Sequence, residues 1–191
     1  VAKMFEPSAT PDQLKKAKRR IRCQVGQRDR FRDGLIRSAV HIDVIRAIFR
    51  NAGLPEDLAY LPHVESSFNA QAHSKSGAVG IWQFTRRTGR HYLQIDAALD
   101  ERLDPIRASE AAADLLKTNY RRLESWPLAI TAYNHGISGM RRAKRRHKTY
   151  AAIFEDYRSR RFRFASRNFY PEFLAAREAA KNAHHYFDDL P

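Results

Sequence analysis

One acidic residue stands in unusual company in this basic chain, within the stretch "HVESSFNAQAHSKSGAVGIWQFTRRTG" at residues 63–89. Glu65 follows the mostly apolar segment "LAYLPHV" and precedes a loop of small and polar residues. Apolar neighbours exclude water from a carboxyl group, which raises its pKa and keeps it protonated near neutral pH. A protonated acid beside an apolar wall is what cleavage of a glycosidic bond requires. Glu65 is therefore the candidate catalytic acid.

The residues around Glu65 offer an apolar wall, hydrogen-bond donors and a closely approaching backbone. The predicted wall consists of Val64, Phe68, Ile81, Trp82 and Phe84. The loop side chains that can orient a carboxylate or meet sugar hydroxyls are Ser66, Ser67, Asn69, Ser74, Lys75 and Ser76. Gly77 and Gly80 allow the backbone to pass close to a ligand. Trp82 either stacks on a sugar face or serves as a core aromatic.

The spacing in this stretch resembles the signature of the SLT-type lytic transglycosylases, which are goose-lysozyme-like enzymes that cleave peptidoglycan. That signature is Glu-Ser, a later serine, and then Gly-x-x-Gly-(Leu/Ile)-(Met/Trp)-Gln. Every spacing is kept by Glu65, Ser66, Ser74, Gly77, Gly80, Ile81, Trp82 and Gln83. The family's second motif, Ala-Tyr-Asn-x-Gly, is matched by "AYNHG" at residues 132–136. The segments "LAYLPHVESSF" and "GIWQFTRRTGRHY" are most similar to the membrane-bound lytic murein transglycosylase D branch, and the resemblance covers roughly residues 31–180.

The resemblance implies a role for each matched side chain. Glu65 is the expected acid and base, and Tyr133 is expected beside it. Ser74 is expected to bind the acetamido group of the sugar or to position Glu65. The remaining residues of the expected substrate-binding set are Ser66, Gly80, Trp82, Gln83, Asn134 and Tyr170.

A late motif departs from the family pattern. Relatives commonly carry a Glu four residues before a Tyr ahead of a final helix. In "FASRNFYPEF" the corresponding positions hold Ala165 and Phe169, and the neighbouring Tyr170 is assigned to the site instead. The order of this motif is therefore expected to differ in this chain.

The resemblance implies cleavage of the MurNAc-β-1,4-GlcNAc bond by a single Glu, with 1,6-anhydromuramoyl products. Three alternatives stay open. The first is a lysozyme-like murein hydrolase on the same fold, and the second is a wall-binding module without catalysis. The third is a basic nucleic-acid-binding helical protein, whose salt-dependent DNA binding would survive Glu65→Gln.

The net charge of +14 indicates an anionic partner. The basic runs are "KKAKRR" at 15–20, "RRAKRRHK" at 141–148 and "RSRRFRF" at 158–164. Because no nucleic-acid-binding module accompanies them, no nucleic-acid partner is expected. The expected partner is the glycan strand of peptidoglycan, and other anionic envelope polymers are further candidates.

Helical signals dominate the chain and predict a mainly α, lysozyme-like helical domain with at most a small hairpin. We divide it into a basic N-terminal helical segment at 1–30 and a catalytic domain at 31–191. Helices are predicted near Asp12, over 35–52, from Asp104-Pro105, from Pro127 and from Pro171, with a kink or break at Pro62. Alternation in "HYLQID" at 91–96 suggests the hairpin.

Composition excludes several other classes. Cys23 is the single cysteine, so no intrachain disulfide and no cysteine-based metal site is possible. No His-Glu-x-x-His motif is present, and we expect neither a metal nor a cofactor. The chain shows no signal peptide and no transmembrane segment, so membrane association would need a segment absent from it. The expected location is the periplasm or cell envelope of a bacterium.

Overall fold

The computed structural model describes residues 28–188 and residue 190. In that part of the chain the α-helices are α1 (Arg28–Ala39), α2 (Ile42–Asn51), α3 (Leu61–Glu65), α4 (Arg86–Gly89), α5 (Pro105–Leu123), α6 (Trp126–His135), α7 (Ile137–His147), α8 (Tyr150–Asp156), α9 (Phe164–Lys181) and α10 (Ala183–Tyr186). Short 3-10 helices span Glu56–Tyr60 and Glu101–Leu103. The predicted mainly α fold with a small hairpin is confirmed. The helix predicted near Asp12 lies outside the described residues.

The hairpin joins β1 (Ala78–Val79) and β2 (Phe84–Thr85) in antiparallel pairing. Ala78 lies opposite Thr85, and Val79 lies opposite Phe84. The hairpin expected at residues 91–96 is wrong. The backbone there forms turns, and Ile95 pairs with Asp100 only through an isolated bridge.

Two predicted helix starts are confirmed, one by a capping contact and one by a proline in the first turn. The Asp104 carboxylate accepts hydrogen bonds from the backbone N–H groups of Ile106 and Arg107, at 2.8 and 3.1 Å. This satisfies two of the unpaired N–H groups at the start of α5. In α6, Pro127 occupies the first turn, where a missing N–H costs nothing.

The single helix predicted over 35–52 is wrong, because α1 ends at Ala39 and α2 begins at Ile42. The Ser38 hydroxyl donates to the carbonyl of Leu35 at 2.7 Å, and the His41 N–H donates to the Ser38 carbonyl at 2.9 Å. Local side-chain hydrogen bonds of this kind compete with helix continuation. Val40, which the helical spacing placed on an apolar face, is 75% exposed as a result.

Proline has opposite outcomes at two positions. The break predicted at Pro62 is confirmed, because a 3-10 helix ends at Tyr60 and α3 starts at Leu61. The start predicted at Pro171 is wrong, because α9 begins at Phe164 and runs through that proline. Packing outweighs the lost hydrogen bond there, since Phe169 and Phe173 bury one face of α9 on either side of it.

The main core forms where α5 packs against α2 and α6, and where α9 packs against α3 and α6. Small side chains on α5 let its neighbours approach closely, and large ones fill the remaining space. The fully buried large side chains include Phe49, Leu58, Leu61, Ile81, Trp82, Leu116 and Phe173. α9 thereby joins the helix that ends at Glu65 to the helix that carries Tyr133. No helix in the described part of the chain is long and apolar enough to span a membrane.

Candidate active site

Glu65 is the last residue of α3, and its side chain is partly buried. Burial, with a smaller contribution from the negative charge of Glu172 on α9, raises the pKa of the carboxyl from 4.5 to about 8. The group is therefore mainly protonated at neutral pH, as a general acid must be. Burial also raises the pKa of Glu172 itself.

A cavity of about 150 Å³ opens beside Glu65. It is lined by Arg30, Phe31, His63, Val64, Glu65, Ser66 and Ser67. Of the predicted apolar wall, only Val64 lines this cavity. The other four predicted wall residues are buried in the core. The desolvation of Glu65 therefore arises from a packed core behind it and a small cavity beside it.

His63 is held neutral next to the candidate acid. Burial, followed by the positive charge of Arg37, lowers the pKa of its imidazole to about 3. Its ring stacks on Phe31 with centroids 5.0 Å apart and meets the edge of Phe68 at 4.6 Å. His63 therefore places no charge beside Glu65.

The turn after Glu65 is tightly fixed. Ser67 and Phe68 both adopt positive φ, at 50° and 56°, which is costly for residues other than glycine. The Arg37 guanidinium donates to the Ser67 carbonyl at 2.9 Å. Ser66 donates through its hydroxyl to the Ile81 carbonyl at 2.9 Å, which ties the end of α3 to the hairpin. These contacts fix the direction in which α3 ends, and with it the direction of the Glu65 side chain.

Two of the predicted polar residues support the hairpin backbone. The Ser74 hydroxyl accepts from the Ala78 N–H at 2.9 Å and lies 3.0 Å from the Ser76 hydroxyl. The Gln83 side-chain amide donates to the Gly80 carbonyl at 2.9 Å and to the Ala72 carbonyl at 3.3 Å. Contact of Ser74 or Gln83 with a sugar stays a prediction.

Gly80 is needed for close backbone packing. It is buried with φ +77°, and a Cβ there would lie 1.9 Å from the Arg102 carbonyl oxygen. The close approach that glycine permits is therefore to the chain itself. This corrects the expectation that Gly80 admits a ligand.

Trp82 faces the core, which corrects its assignment to the substrate-binding set. The side chain is 0% exposed, so no face of the indole is open to a sugar. Its N–H donates to the Ser109 hydroxyl on α5 at 2.7 Å, and its ring packs against Phe49. Its backbone carbonyl accepts from the Tyr133 hydroxyl at 2.8 Å. Trp82 therefore links the hairpin, the core and the second motif.

Tyr133 and Asn134 close α6 near the site. Burial and the charge of Glu65 raise the pKa of Tyr133 well above its usual range, which places the phenol within electrostatic reach of the acid. Its ring stacks on Phe169, with centroids 6.4 Å apart and nearly parallel planes. Asn134 is exposed, and its side-chain oxygen accepts from the Ser166 hydroxyl at 2.7 Å. Contact of Asn134 with a sugar stays a prediction.

Tyr170 does not face the site, which corrects the expectation for the late motif. It is 2% exposed and meets Tyr150 edge-on at 5.1 Å. The aromatic side chain of this motif that contacts the site is Phe169, through its stacking on Tyr133.

Sequence reasoning missed three side chains that act on the site. Glu172 was hidden because its only signal is its place on α9, which lies far from Glu65 in sequence. Ser109 lies in an alanine-rich run that carries no motif. Arg102 was one arginine among many. It is 5% exposed, binds Asp100 at 2.6 Å, and donates to the carbonyls of Gly77 and Phe84, both at 3.1 Å.

Arg102 therefore holds both ends of the hairpin in place.

In the described part of the chain no three His, Cys, Asp or Glu side chains converge as a metal site would require.

Comparison with known proteins points the same way as this geometry. The family model of the transglycosylase SLT domain matches residues 44–154. Membrane-bound lytic murein transglycosylase D of Escherichia coli (strain K12) is 29% identical over 161 residues, which cover 83% of this chain and 35% of that protein. A protein of Alteromonas sp. (strain M-1) named for tributyltin chloride resistance is 37% identical over 92 residues, which cover 47% and 44%. The chain thus spans about a third of the length of the Escherichia coli relative.

Proposed function

The chain belongs to the transglycosylase SLT domain family, and from this premise we propose that it is a lytic transglycosylase of peptidoglycan. Its bond of attack is the β-1,4 linkage from N-acetylmuramic acid to N-acetylglucosamine. Glu65 acts first as acid and then as base. The observation that carries the proposal is the Glu65 carboxyl group, which lies at the edge of a cavity and whose pKa is raised to about 8.

The reaction begins with proton transfer from Glu65 to the glycosidic oxygen. The bond from that oxygen to C1 breaks, and the N-acetylglucosamine side leaves as an alcohol. Positive charge develops at C1, where the acetamido oxygen of the muramoyl sugar stabilises it. Carboxylate formation at Glu65 is unfavourable in this partly buried position, so the same group is a strong base for the next step.

The second step closes the anhydro ring. Glu65 takes the proton of the C6 hydroxyl, and the C6 oxygen forms a bond to C1. The product carries a 1,6-anhydromuramoyl end, no water is consumed, and Glu65 returns to its protonated form. Both nucleophiles come from the substrate, so one protein carboxyl group suffices.

The neighbouring side chains keep the acid in place and bind the sugar. Tyr133 is close enough to Glu65 for the charge of Glu65 to raise the pKa of its phenol, and its hydroxyl donates a hydrogen bond to the Trp82 carbonyl. Asn134 offers its exposed amide to a sugar substituent, with its oxygen already bound by Ser166. Ser74 and Gln83 contact the substrate from the hairpin side.

A lysozyme-like hydrolase on the same fold is the second candidate, and Glu172 is the observation that favours it. Most glycoside hydrolases use two carboxyl groups, and Glu172 is a second one close enough to influence Glu65. In that mechanism water would attack C1. The released strand would then carry a reducing end.

Two variants and one product analysis test the proposal. Glu65→Gln is expected to abolish murein cleavage while sugar binding and folding persist. Glu172→Gln is expected to retain cleavage, since the transglycosylase needs one acid. Comparable loss in both variants, together with reducing ends on wild-type products, would establish the hydrolase instead. Full activity of Glu65→Gln would remove Glu65 from either mechanism.

The proposed partner is the peptidoglycan strand, with the periplasm or cell envelope as the location. The Escherichia coli relative is named as membrane-bound and murein-cleaving. The charge of +14 suits a substrate layer that carries carboxylates and phosphates.

A further inference from the structure

A concave cluster of cations lies apart from the Glu65 site, where α5 ends against α7. Its cavity of about 330 Å³ is lined by Arg122, Arg141, Lys144, Arg145 and Lys148. That volume falls in the range of ligand-binding sites, which is about 300–1,000 Å³. We call this feature the basic cavity.

Three of these cations lie on one face of α7. Arg141, Lys144 and Arg145 recur at the i, i+3 and i+4 positions that share a helix face, and Lys148 follows the last residue of α7. Like charges four residues apart destabilise a helix, whereas the helix dipole favours cations in the last turn. Lys144 and Arg145 lie in the last turn of α7, so the dipole accounts for part of this clustering and Arg141 lies before that turn.

One of the cations also builds the walls of the basic cavity. The Lys144 ammonium donates to the carbonyl of Leu123, the last residue of α5, at 2.7 Å. It also lies 3.2 Å from the Glu124 carboxylate. Lys144 thus fastens α7 to the end of α5, which brings Arg122 to the cavity. The remaining cations of the lining are carried by these two joined helices and by the residue that follows α7.

The positive charge of the basic cavity is only partly balanced. The Glu124 carboxylate pairs with Lys144 of the lining. The ends of α5 and α7 each add about half a negative charge through their helix dipoles. Five cations against these groups leave roughly three positive charges uncompensated. A cavity with this excess has a strong preference for an anionic ligand.

We propose that the basic cavity binds phosphodiester groups of an anionic polymer that has no aromatic bases. Three arginines contribute planar guanidinium groups, which match the paired oxygens of a phosphate. Among residues 28–188 and 190, no aromatic side chain lines the cavity to stack on a nucleic-acid base. Within the same described residues the lining contains no apolar residue that would enter a bilayer, as membrane-surface helices require. A flexible polymer with repeated phosphates neutralises several of the cations at once.

The basic cavity is a second site, separate from the sugar-cleaving one. Gly136 ends the "AYNHG" motif, and Arg145 follows nine residues later on α7. At a rise of about 1.5 Å per residue, the two are ~14 Å apart along the helix axis. The lining of the basic cavity shares no residue with the lining of the cavity beside Glu65.

Matched double variants test the proposal, with binding of a glycerol phosphate oligomer measured by calorimetry at physiological salt. Arg122→Gln with Arg145→Gln removes two cations of the lining and leaves Lys144 intact. Arg121→Gln with Arg146→Gln removes two exposed cations from the same helices and gives the same net charge. Thermal unfolding of all three proteins checks that the fold is unchanged.

We expect the wild type to bind the oligomer saturably. The affinity should be at least tenfold weaker in the variant with Arg122→Gln and Arg145→Gln. It should stay within twofold of wild type in the control variant with Arg121→Gln and Arg146→Gln. Equal losses in the two variants, or no wild-type binding, would overturn the proposal. Two further probes test the ligand class. The first is a single-stranded DNA oligonucleotide with the same number of phosphates, and the second is phosphatidylglycerol vesicles. Neither probe should bind tenfold more tightly than the glycerol phosphate oligomer in a manner that depends on Arg122 and Arg145. Such binding would reassign the basic cavity to nucleic acid or to a membrane surface.

Discussion

The raised pKa of Glu65 lowers the free energy of unfolding at neutral pH. Glu65→Gln should remove this destabilisation. In the unfolded chain the carboxyl ionises with a pKa near 4.5, and in the folded protein it does so near 8. Between these values the folded state holds a proton that the unfolded state has released. Stability therefore falls as pH rises from about 4.5 to 8.

The magnitude follows from the same two values. At pH 7 the full linkage amounts to roughly 3 kcal/mol, since each pKa unit corresponds to about 1.4 kcal/mol. The side chain is only partly buried, so we discount this for solvent screening to about 1.5–3 kcal/mol. Glutamine is neutral at every pH and nearly the same shape. Glu65→Gln should therefore raise the free energy of unfolding by that amount at pH 7 and leave it almost unchanged at pH 4.

Urea unfolding of the wild type and the variant at both pH values measures this difference. Titration of His63 affects both proteins equally and cancels. Glu56→Gln is a control of opposite sign, because the hydrogen bond from Arg50 lowers the pKa of Glu56. That variant should lose stability at pH 7 and lose less at pH 4. A stability change in Glu65→Gln that is independent of pH, or negative at pH 7, would refute the buried-acid reasoning.

Three further perturbations follow from the structure. Glu172→Gln should lower the pKa of Glu65, so the alkaline limb of the kcat/KM profile for murein cleavage should move to lower pH; an unmoved limb would contradict this. Arg102→Gln should cost about 3–5 kcal/mol in chemical denaturation because it leaves a carboxylate and two carbonyls without their partner, whereas Arg107→Gln removes only exposed ion pairs and should cost much less. Gly80→Ala should destabilise the hairpin by at least ~2 kcal/mol, since its Cβ meets a backbone carbonyl; a thermal midpoint equal to that of the wild type would count against this.

Local chemistry made parts of the fold predictable. Asp104 and Pro127 mark helix starts through capping and through a missing N–H, and both effects act within a few residues. Pro171 shows the limit of that reasoning. Its place inside α9 depends on Phe169 and Phe173 packing against the rest of the core, which no local pattern reveals. Ser38 shows the converse, because one side-chain hydrogen bond ended a helix that the apolar spacing favoured.

The site divides in the same way. The family resemblance predicted Glu65 and Tyr133 as site residues, because motif residues keep their positions along the chain. It did not distinguish a residue that faces a ligand from one that faces the core. Trp82 and Tyr170 are buried, and this depends on neighbours supplied by α5 and α8. Glu172 depends on the packing of α9 against α3, so its effect on the pKa of Glu65 appears only in three dimensions.

Mass spectrometry of the glycan ends that the wild-type protein releases from murein tests the central claim most directly. We predict 1,6-anhydromuramoyl ends, lighter than reducing ends by one water, and no released strands with Glu65→Gln. Reducing ends that incorporate oxygen from labelled water would contradict the transglycosylase mechanism.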